Sequence, residues 1–211
     1  MRGEPGILTL RELFGQIDIY LFDQILRGNI TPQMRVLDAG FGSGRNLHYL
    51  LREGCEAFGI DRDPEAVAQV RRMAASLQPG LPPENFQVGR VEAMPFPDDF
   101  ADVVISSAVL HFARDEAHFR AMLNELWRVL RPGGLLFCRL GSRIGMDFKE
   151  LRPGIFAVGS SEWFLVDQEM LLSLTEELRG RLVDPLKTTI VQDQRCMTTW
   201  VVRKAQQLLT D

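Results

Sequence analysis

A glycine-rich turn between two carboxylates carries the first chemical information in this chain. The run Val36-Leu37-Asp38-Ala39-Gly40-Phe41-Gly42-Ser43-Gly44-Arg45-Asn46 sets three glycines behind a short apolar segment. Glycines at the mouth of a parallel strand let a ligand approach the backbone, and they allow a tight turn into a helix whose first amides favour negative charge. A dinucleotide site carries Gly-x-Gly-x-x-Gly at this place. Here the spacing is Gly-x-Gly-x-Gly, with Arg45 where the third fingerprint glycine would stand. Asp38, beside the loop, suits a ligand with an ammonium group and repels a pyrophosphate. Asp61, in Gly59-Ile60-Asp61-Arg62-Asp63, follows Asp38 by 23 residues, near the offset of roughly 20 expected for an acid that accepts hydrogen bonds from ribose hydroxyls. Each feature alone has a purely structural alternative, a chain reversal for the glycines and a helix cap for the acid. The two together at this distance point to a ligand.

The elements that must hold these residues follow from periodicity. Leu10, Leu13, Phe14, Ile17, Leu21 and Ile25 recur at helical spacing, which predicts one amphipathic helix ending near Gly28. Arg35 to Ala39 reads as a buried strand, Asn46 to Glu53 as a short helix closed by Gly54, and Ala57 to Asp61 as a second strand. Asp63 followed by Pro64 marks a helix start, because the carboxylate can cap and proline suits the first helical position. That helix runs to about Leu77. Strands are expected at Asn85 to Val88, Asp102 to Ser106 and Leu135 to Leu140, with a helix from Ala117 to Leu130 stopped by Pro132-Gly133-Gly134. Alternation of this kind, with near-continuous apolar strands, predicts a parallel sheet covered by helices on both faces. Gly141 to Ser161 reads as irregular and Asp167 to Leu178 as a capped helix. Leu182 to Val191 and Arg195 to Arg203 read as an antiparallel hairpin joined by Gln192-Asp193-Gln194. The fold class is therefore α/β, a Rossmann-like doubly wound sheet of seven strands, mostly parallel, with an antiparallel C-terminal hairpin.

Composition bounds the partners. A chain of 211 residues suits one α/β domain with a real core. The formal charge of −4 gives no global positive field, so nucleic acid is not an expected partner. No run approaches the roughly 18 apolar residues of a membrane span, and Met1 to Leu10 lacks the layout of a signal peptide. Cys55, Cys138 and Cys196 are odd in number, far apart and in no metal-ligand spacing, so no metal is expected and the thiols read as reduced, in a cytoplasmic protein.

From about Arg35 to Leu140 the sequence resembles the class I S-adenosylmethionine-dependent methyltransferases, in the subgroup that acts on small molecules. Val36 to Gly44 resembles that family's first motif and Gly59-Ile60-Asp61 its second. Val91-Glu92-Ala93-Met94-Pro95-Phe96 resembles the segment bordering the adenine, and Asp102-Val103-Val104-Ile105-Ser106 to His111 the fourth motif. Arg128-Val129-Leu130-Arg131-Pro132-Gly133-Gly134 resembles the turn before the fifth strand. Five weak patterns in the right order, with the right spacing, make a specific one. The resemblance implies a single domain over 1–211, with residues 1–30 as a helical lid, 31–140 as the cofactor-binding core and 141–211 on the acceptor side.

The same resemblance implies roles. Asp38 and the backbone at Gly40 and Gly42 would hold the methionine end of S-adenosylmethionine, Gly44 would permit close approach, and Asn46 belongs to the same set. Asp61 would take the ribose hydroxyls, Arg62 would lie along the adenine, and Glu92 would stand near the adenine amino group with the Ala93 amide as the main contact. Ser106 and Val109 would border the sulfonium. Transfer from a sulfonium is an in-line displacement in which the protein aligns the partners and excludes water. If the acceptor must lose a proton, His111 is the candidate base, and a histidine packed beside Phe112 is the alternative. His48 reads as structural and His118 as solvated. Arg143, Trp163, Phe164 and Arg195 mark where an anionic or planar acceptor would bind, with surface packing as the alternative; Tyr20 in the leading helix would close over the bound ligands as part of a lid, with core packing as the alternative.

The stretch after the fourth strand, Ser106-Ser107-Ala108-Val109, lacks the (Asp/Asn)-Pro-Pro-(Tyr/Phe) pattern of enzymes that methylate exocyclic base amines. The expected acceptor is a small molecule, and the expected assembly a monomer or homodimer. A nicotinamide-dependent oxidoreductase on a similar fold and a non-catalytic cofactor-binding protein are the competing readings.

Overall fold

A computed structural model describes residues 8–192 and 194–206. Residues 1–7, which open the segment inspected above for a signal peptide, and Asp193 of the connecting turn lie outside them. No described helix is long and apolar enough to cross a membrane.

The leading helix is two helices, α1 (Leu10–Phe14) and α2 (Ile19–Leu26). The apolar period runs unbroken through the junction, but Gly15 takes φ 62° and returns its N–H to the Arg11 carbonyl. Thr9 and Glu12 form a reciprocal capping box on α1, and the Asp18 carboxylate caps α2 at the Tyr20 N–H. Alternation then follows: β1 (Arg35–Ala39), α3 (Leu47–Arg52), β2 (Glu56–Asp61), α4 (Pro64–Leu77), β3 (Phe86–Val88), β4 (Ala101–Ser107), α5 (Glu116–Val129) and β5 (Leu130–Gly141). Asp63 caps α4 ahead of Pro64 at its first position.

β5 differs from expectation at its start. Leu130 already pairs with Ala101, and pairing resumes at Leu135 opposite Val103. Arg131 to Gly134 therefore bulge out against Asp102 alone, anchored by an Arg131–Asp102 ion pair. A glycine is required at 134, where an added Cβ would sit 2.9 Å from the Asp102 carbonyl oxygen.

The segment from Gly141 to Ser161 is irregular only in its first part, residues 142–149. From Glu150 to Phe164 the chain builds a separate antiparallel sheet: β6 (Glu150–Arg152), β7 (Ile155–Val158) and β8 (Ser161–Phe164). After α6 (Gln168–Glu177) come β9 (Gly180–Leu182), β10 (Lys187–Val191) and β11 (Arg195–Lys204). The single strand expected from Leu182 to Val191 is thus two. Pro185 lies between them and has no N–H to give a ladder.

The main sheet runs β10-β11-β5-β4-β1-β2-β3, with β9 also paired to β11. β3, β2, β1, β4 and β5 are parallel, and β11 is antiparallel to β5, β9 and β10. The sheet has eight strands rather than seven because β9 and β10 meet β11 at different stretches, Val202–Lys204 and Arg195–Thr199. Successive residues face opposite layers. Val36, Val103, Ile105 and Phe137 pack with Leu21 and Leu50 from α2 and α3, whereas Leu37, Val104, Leu136 and Cys138 pack with Phe119, Leu123 and Leu171 from α5 and α6. Burial on both faces is why these strands read as continuous apolar runs.

Candidate active site

β1 and β2 are neighbours in register, Asp38 opposite Gly59 and Ala39 opposite Ile60, so both acids reach the carboxyl edge of the sheet. Asp38 is 1% exposed, and its Oδ2 has no hydrogen-bond partner among the described residues. Burial pushes its carboxyl up to about 7, against a partial opposing pull from Arg45 and a smaller push from Asp61. A buried acceptor without a donor costs free energy, so this oxygen is built for a partner that arrives later. An ammonium group is the natural one.

The loop between the acids shows why a pyrophosphate would not serve. A phosphate-binding turn presents its amides to the ligand. Here the N–H of Gly40 donates to the Ile60 carbonyl at 2.7 Å, that of Gly42 to Asp61 Oδ2 at 2.7 Å and that of Gly44 to the Phe41 carbonyl at 2.9 Å. Gly42, at φ 52°, has open space where a Cβ would be, which leaves room for a ligand. At Gly44 the close approach belongs to α4 instead, since a Cβ would lie 2.7 Å from Val70 and Met73 side-chain carbons. Asp61 also accepts the Asp63 N–H through Oδ1 at 2.9 Å, and each of its oxygens keeps capacity for a hydroxyl donor.

Next to this edge opens a cleft of about 970 Å³ lined by Gly40, Gly42, Asp61, Arg62, Glu92 and Val109 from the sequence-derived set. Asp38, Gly44, Asn46, Ala93 and Ser106 do not line it. Ser106 is fully buried, and its Oγ, like Asp38 Oδ2, lacks a partner among the described residues. Asn46 is corrected: it is 3% exposed and its Oδ1 accepts the Asp18 N–H at 3.0 Å, holding the N-terminal segment. Ala93 is corrected too, because its amide donates to the Arg90 carbonyl at 3.2 Å inside a turn.

The cleft also contains residues that the sequence did not single out, among them Gly89, Phe112 and Arg114. His118, read as solvated, lines it as well: its Nε2 lies 3.3 Å from Glu92 Oε1, and its Nδ1 accepts the Arg114 N–H. Asp115 caps α5 at the His118 N–H, so the histidine is fixed by the helix start.

His111 is placed differently from a base. It is 2% exposed, its ring lies 4.2 Å from Trp163 and 4.4 Å from Phe112, and burial pushes its pKa down to about 4. Nδ1 accepts the Gly141 N–H at 3.2 Å. The neutral ring therefore carries its proton on Nε2 and has no free acceptor nitrogen at neutral pH. Trp163 forms part of this packing. Tyr20 lies 5.4 Å below the Arg139 guanidinium and hydrogen-bonds Thr189 at 2.8 Å, between α2 and β10. Arg143 pairs with Asp167 and lines a smaller groove of about 470 Å³ beside β7, β8 and the starts of α5 and α6. Arg195 is exposed opposite Val191 at the hairpin tip. These four residues are not gathered into one pocket.

Comparison with known proteins places this architecture. Residues 37–138 match a family model described as a methyltransferase domain. A malonyl-[acyl-carrier protein] O-methyltransferase of Enterobacter lignolyticus is 31% identical over 147 residues, covering 69% of this chain and 54% of the relative. The chain spans about half the length, or less, of the curated relatives it matches. Among solved structures, the Burkholderia thailandensis 1,6-didemethyltoxoflavin-N1-methyltransferase, with its namesake ligand and S-adenosylhomocysteine bound, superposes with a TM-score of 0.67 at 17% identity, over 92% of this chain and 80% of that one. The [4+2]-cyclase SpnF superposes with a TM-score of 0.70 at 15% identity, over 89% and 80%. Residues 37–138 thus form a methyltransferase domain, and the sheet that carries it has the fold of S-adenosylmethionine-dependent methyltransferases of known structure.

Proposed function

We propose that this protein transfers a methyl group from S-adenosylmethionine to a small-molecule acceptor. The observation that carries the reading is the unpartnered, buried oxygen of Asp38 one strand away from Asp61, at the edge of an open cleft. Asp38 would take the ammonium group of the cofactor and Asp61 its ribose hydroxyls, with Arg62 and Glu92 at the adenine end. Gly40 and Gly42 would flank its methionine end, and Ser106 and Val109 would border the sulfonium. When bound, the cofactor supplies an electrophilic methyl group; the chain's own residues orient the partners and exclude water. Because His111 holds no free acceptor nitrogen, the reading favours an acceptor atom that is nucleophilic without deprotonation at this residue. The −4 charge and three unpaired cysteines support a cytoplasmic enzyme that does not use nucleic acid.

Calorimetry with S-adenosylhomocysteine and with NAD tests the first half of the proposal: only the former is expected to bind. A labelled-methyl screen of metabolite extracts tests the second. The SpnF likeness shows that this fold also houses a cyclase, so binding without measurable transfer to any acceptor would favour a different chemistry on the same site.

A further inference from the structure

His118 lines the cleft without any role in the reading given so far. It is the third residue of α5, and it is fixed twice at the helix start. Its own N–H donates to Asp115 Oδ1 at 2.7 Å, and its Nδ1 accepts the Arg114 N–H at 3.2 Å. This is the reciprocal pattern of a capping box, with imidazole in place of Glu or Gln and reaching one residue further back. A ring that accepts at Nδ1 carries its neutral-form proton on Nε2. That Nε2 is buried, makes no aligned hydrogen bond to any described residue, and lies 3.3 Å from Glu92 Oε1.

Glu92 enters the same cleft from the turn after β3. Its Oε1 faces two donors, His118 Nε2 and, at 3.8 Å, the largely exposed Arg90. An exposed pair at that distance holds little, so the histidine is the brace. Oε2 has no ion-pair or hydrogen-bond partner among the described residues. A glutamate has one more rotatable bond than an aspartate, and an unbraced one spreads its carboxylate over several positions. A fixed N–H against one oxygen decides where the other points. The helix start uses Nδ1 alone, which leaves Nε2 for Glu92. Val88 and Met122, the latter one turn along α5 from His118, add apolar lining. Apolar lining with a single braced acceptor suits a heterocycle that presents an amino group at its edge.

We propose that His118 is a positioning residue that sets the base selectivity of the cleft: its Nε2–H holds Glu92 Oε1, and Glu92 Oε2 is thereby presented to an exocyclic amino group. The assignment rests on the cofactor reading above, in which that group is the amino group of adenine. An amino group donates to a carboxylate, whereas a carbonyl at the same place sets two acceptors against each other and leaves the carboxylate unpaired. Adenine is therefore accepted and hypoxanthine rejected, and the rejection depends on a residue that need not touch the base.

Calorimetry on the full chain compares S-adenosylhomocysteine with S-inosylhomocysteine, which carries a carbonyl in place of the amino group. Wild type should prefer the former by on the order of tenfold or more, the scale of one hydrogen bond to a charged group. His118→Asn keeps an acceptor for the Arg114 N–H but has no donor that reaches Glu92, so the preference should fall below about threefold, through weaker binding of S-adenosylhomocysteine. His118→Gln carries an N–H as far out as Nε2 and should restore the preference to within about threefold of wild type. Parallel weakening of both ligands in His118→Asn, with their ratio unchanged, would confine the histidine to the helix start and overturn the proposal. Glu92→Gln should also lose the preference; a wild-type ratio in that variant overturns the proposal even if His118→Asn does not fold. Equal binding of the two ligands by wild type overturns it as well and leaves the cofactor reading standing. Binding of neither by wild type removes the cofactor reading, and the assignment of His118 falls with it.

Discussion

Asp38 and His111 are both buried titratable groups, yet they push the pH dependence of stability in opposite directions. In the folded protein the Asp38 carboxyl is raised from 3.8 to about 7. Between those values the folded chain holds a proton that the unfolded chain has released, so this residue makes the fold less stable as pH rises. The full span corresponds to about 4 kcal/mol, reached above pH 7. His111 is lowered from 6.5 to about 4. Between those values the unfolded chain takes up a proton that the folded chain refuses, so this residue makes the fold less stable as pH falls, by about 3 kcal/mol over the span. From pH 4 to 6.5 the two slopes cancel.

Single substitutions should uncover what the wild type conceals. Asp38→Asn is nearly isosteric and removes the first slope; His111→Asn keeps an acceptor for the Gly141 N–H and removes the second. Urea unfolding of the cofactor-free protein at constant ionic strength, from pH 4.5 to 8, is the assay. Relative to wild type, Asp38→Asn should gain stability as pH rises, by on the order of 2–4 kcal/mol between the ends of the range. His111→Asn should gain relative stability as pH falls, whatever constant offset its lost ring packing adds. A stability difference between Asp38→Asn and wild type that is flat from pH 4.5 to 8 would refute the claim that this carboxylate is held away from water and partners. The same variant should lose S-adenosylhomocysteine affinity by about 1.5–3 kcal/mol at pH 8, the scale of hydrogen bonds to charged groups. In wild type that affinity should fall as pH drops below 7, with proton release seen as a buffer-dependent binding enthalpy.

Asp61→Ala should weaken S-adenosylhomocysteine by about 1.5–3 kcal/mol in calorimetry, and it also frees the Gly42 N–H that Asp61 Oδ2 now accepts; unchanged affinity would take Asp61 out of the site. Gly44→Ala, which drives a Cβ into Val70 and Met73 at φ 73°, should destabilise the fold by about 1–3 kcal/mol in urea unfolding. Gly42→Ala faces open space and should cost the fold about 1 kcal/mol while lowering cofactor affinity; equal effects of the two on unfolding would contradict the packing described. Trp163→Ala uncovers the His111 ring that it now stacks against at 4.2 Å, so the imidazole titration followed by NMR should move up from about 4 toward its ordinary value. No movement would mean that burial by β8 is not its cause.

What the chain made legible, and what it hid, follows from the range of the forces involved. β1, β2 and their two acids were readable because apolar runs, Gly40 to Gly44 and the offset to Asp61 are all local signals with fixed spacing. The break at Gly15 was hidden because the apolar positions of α1 and α2 stay in phase across it, and only the later Asp18 cap marks a restart. β6 to β8 were hidden because strands of three or four residues give too short an alternation to separate from loop. The site residues divide in the same way. Asp38, Asp61 and Glu92 sit at strand ends or turns whose position the sequence dictates. The environments of His111, His118 and Arg139 are set by Trp163, Glu92 and Asp18, partners 52, 26 and 121 residues away. A histidine's type states what it can do, while the partner that selects its tautomer, here the Gly141 N–H, arrives only with the tertiary fold. Of the two readings that the sequence left open for His111, base and packed ring, the surroundings correspond to the packed one for that reason. The same reasoning gives weight to Asp38, because its unmet oxygen records a partner that no other described part of the chain supplies.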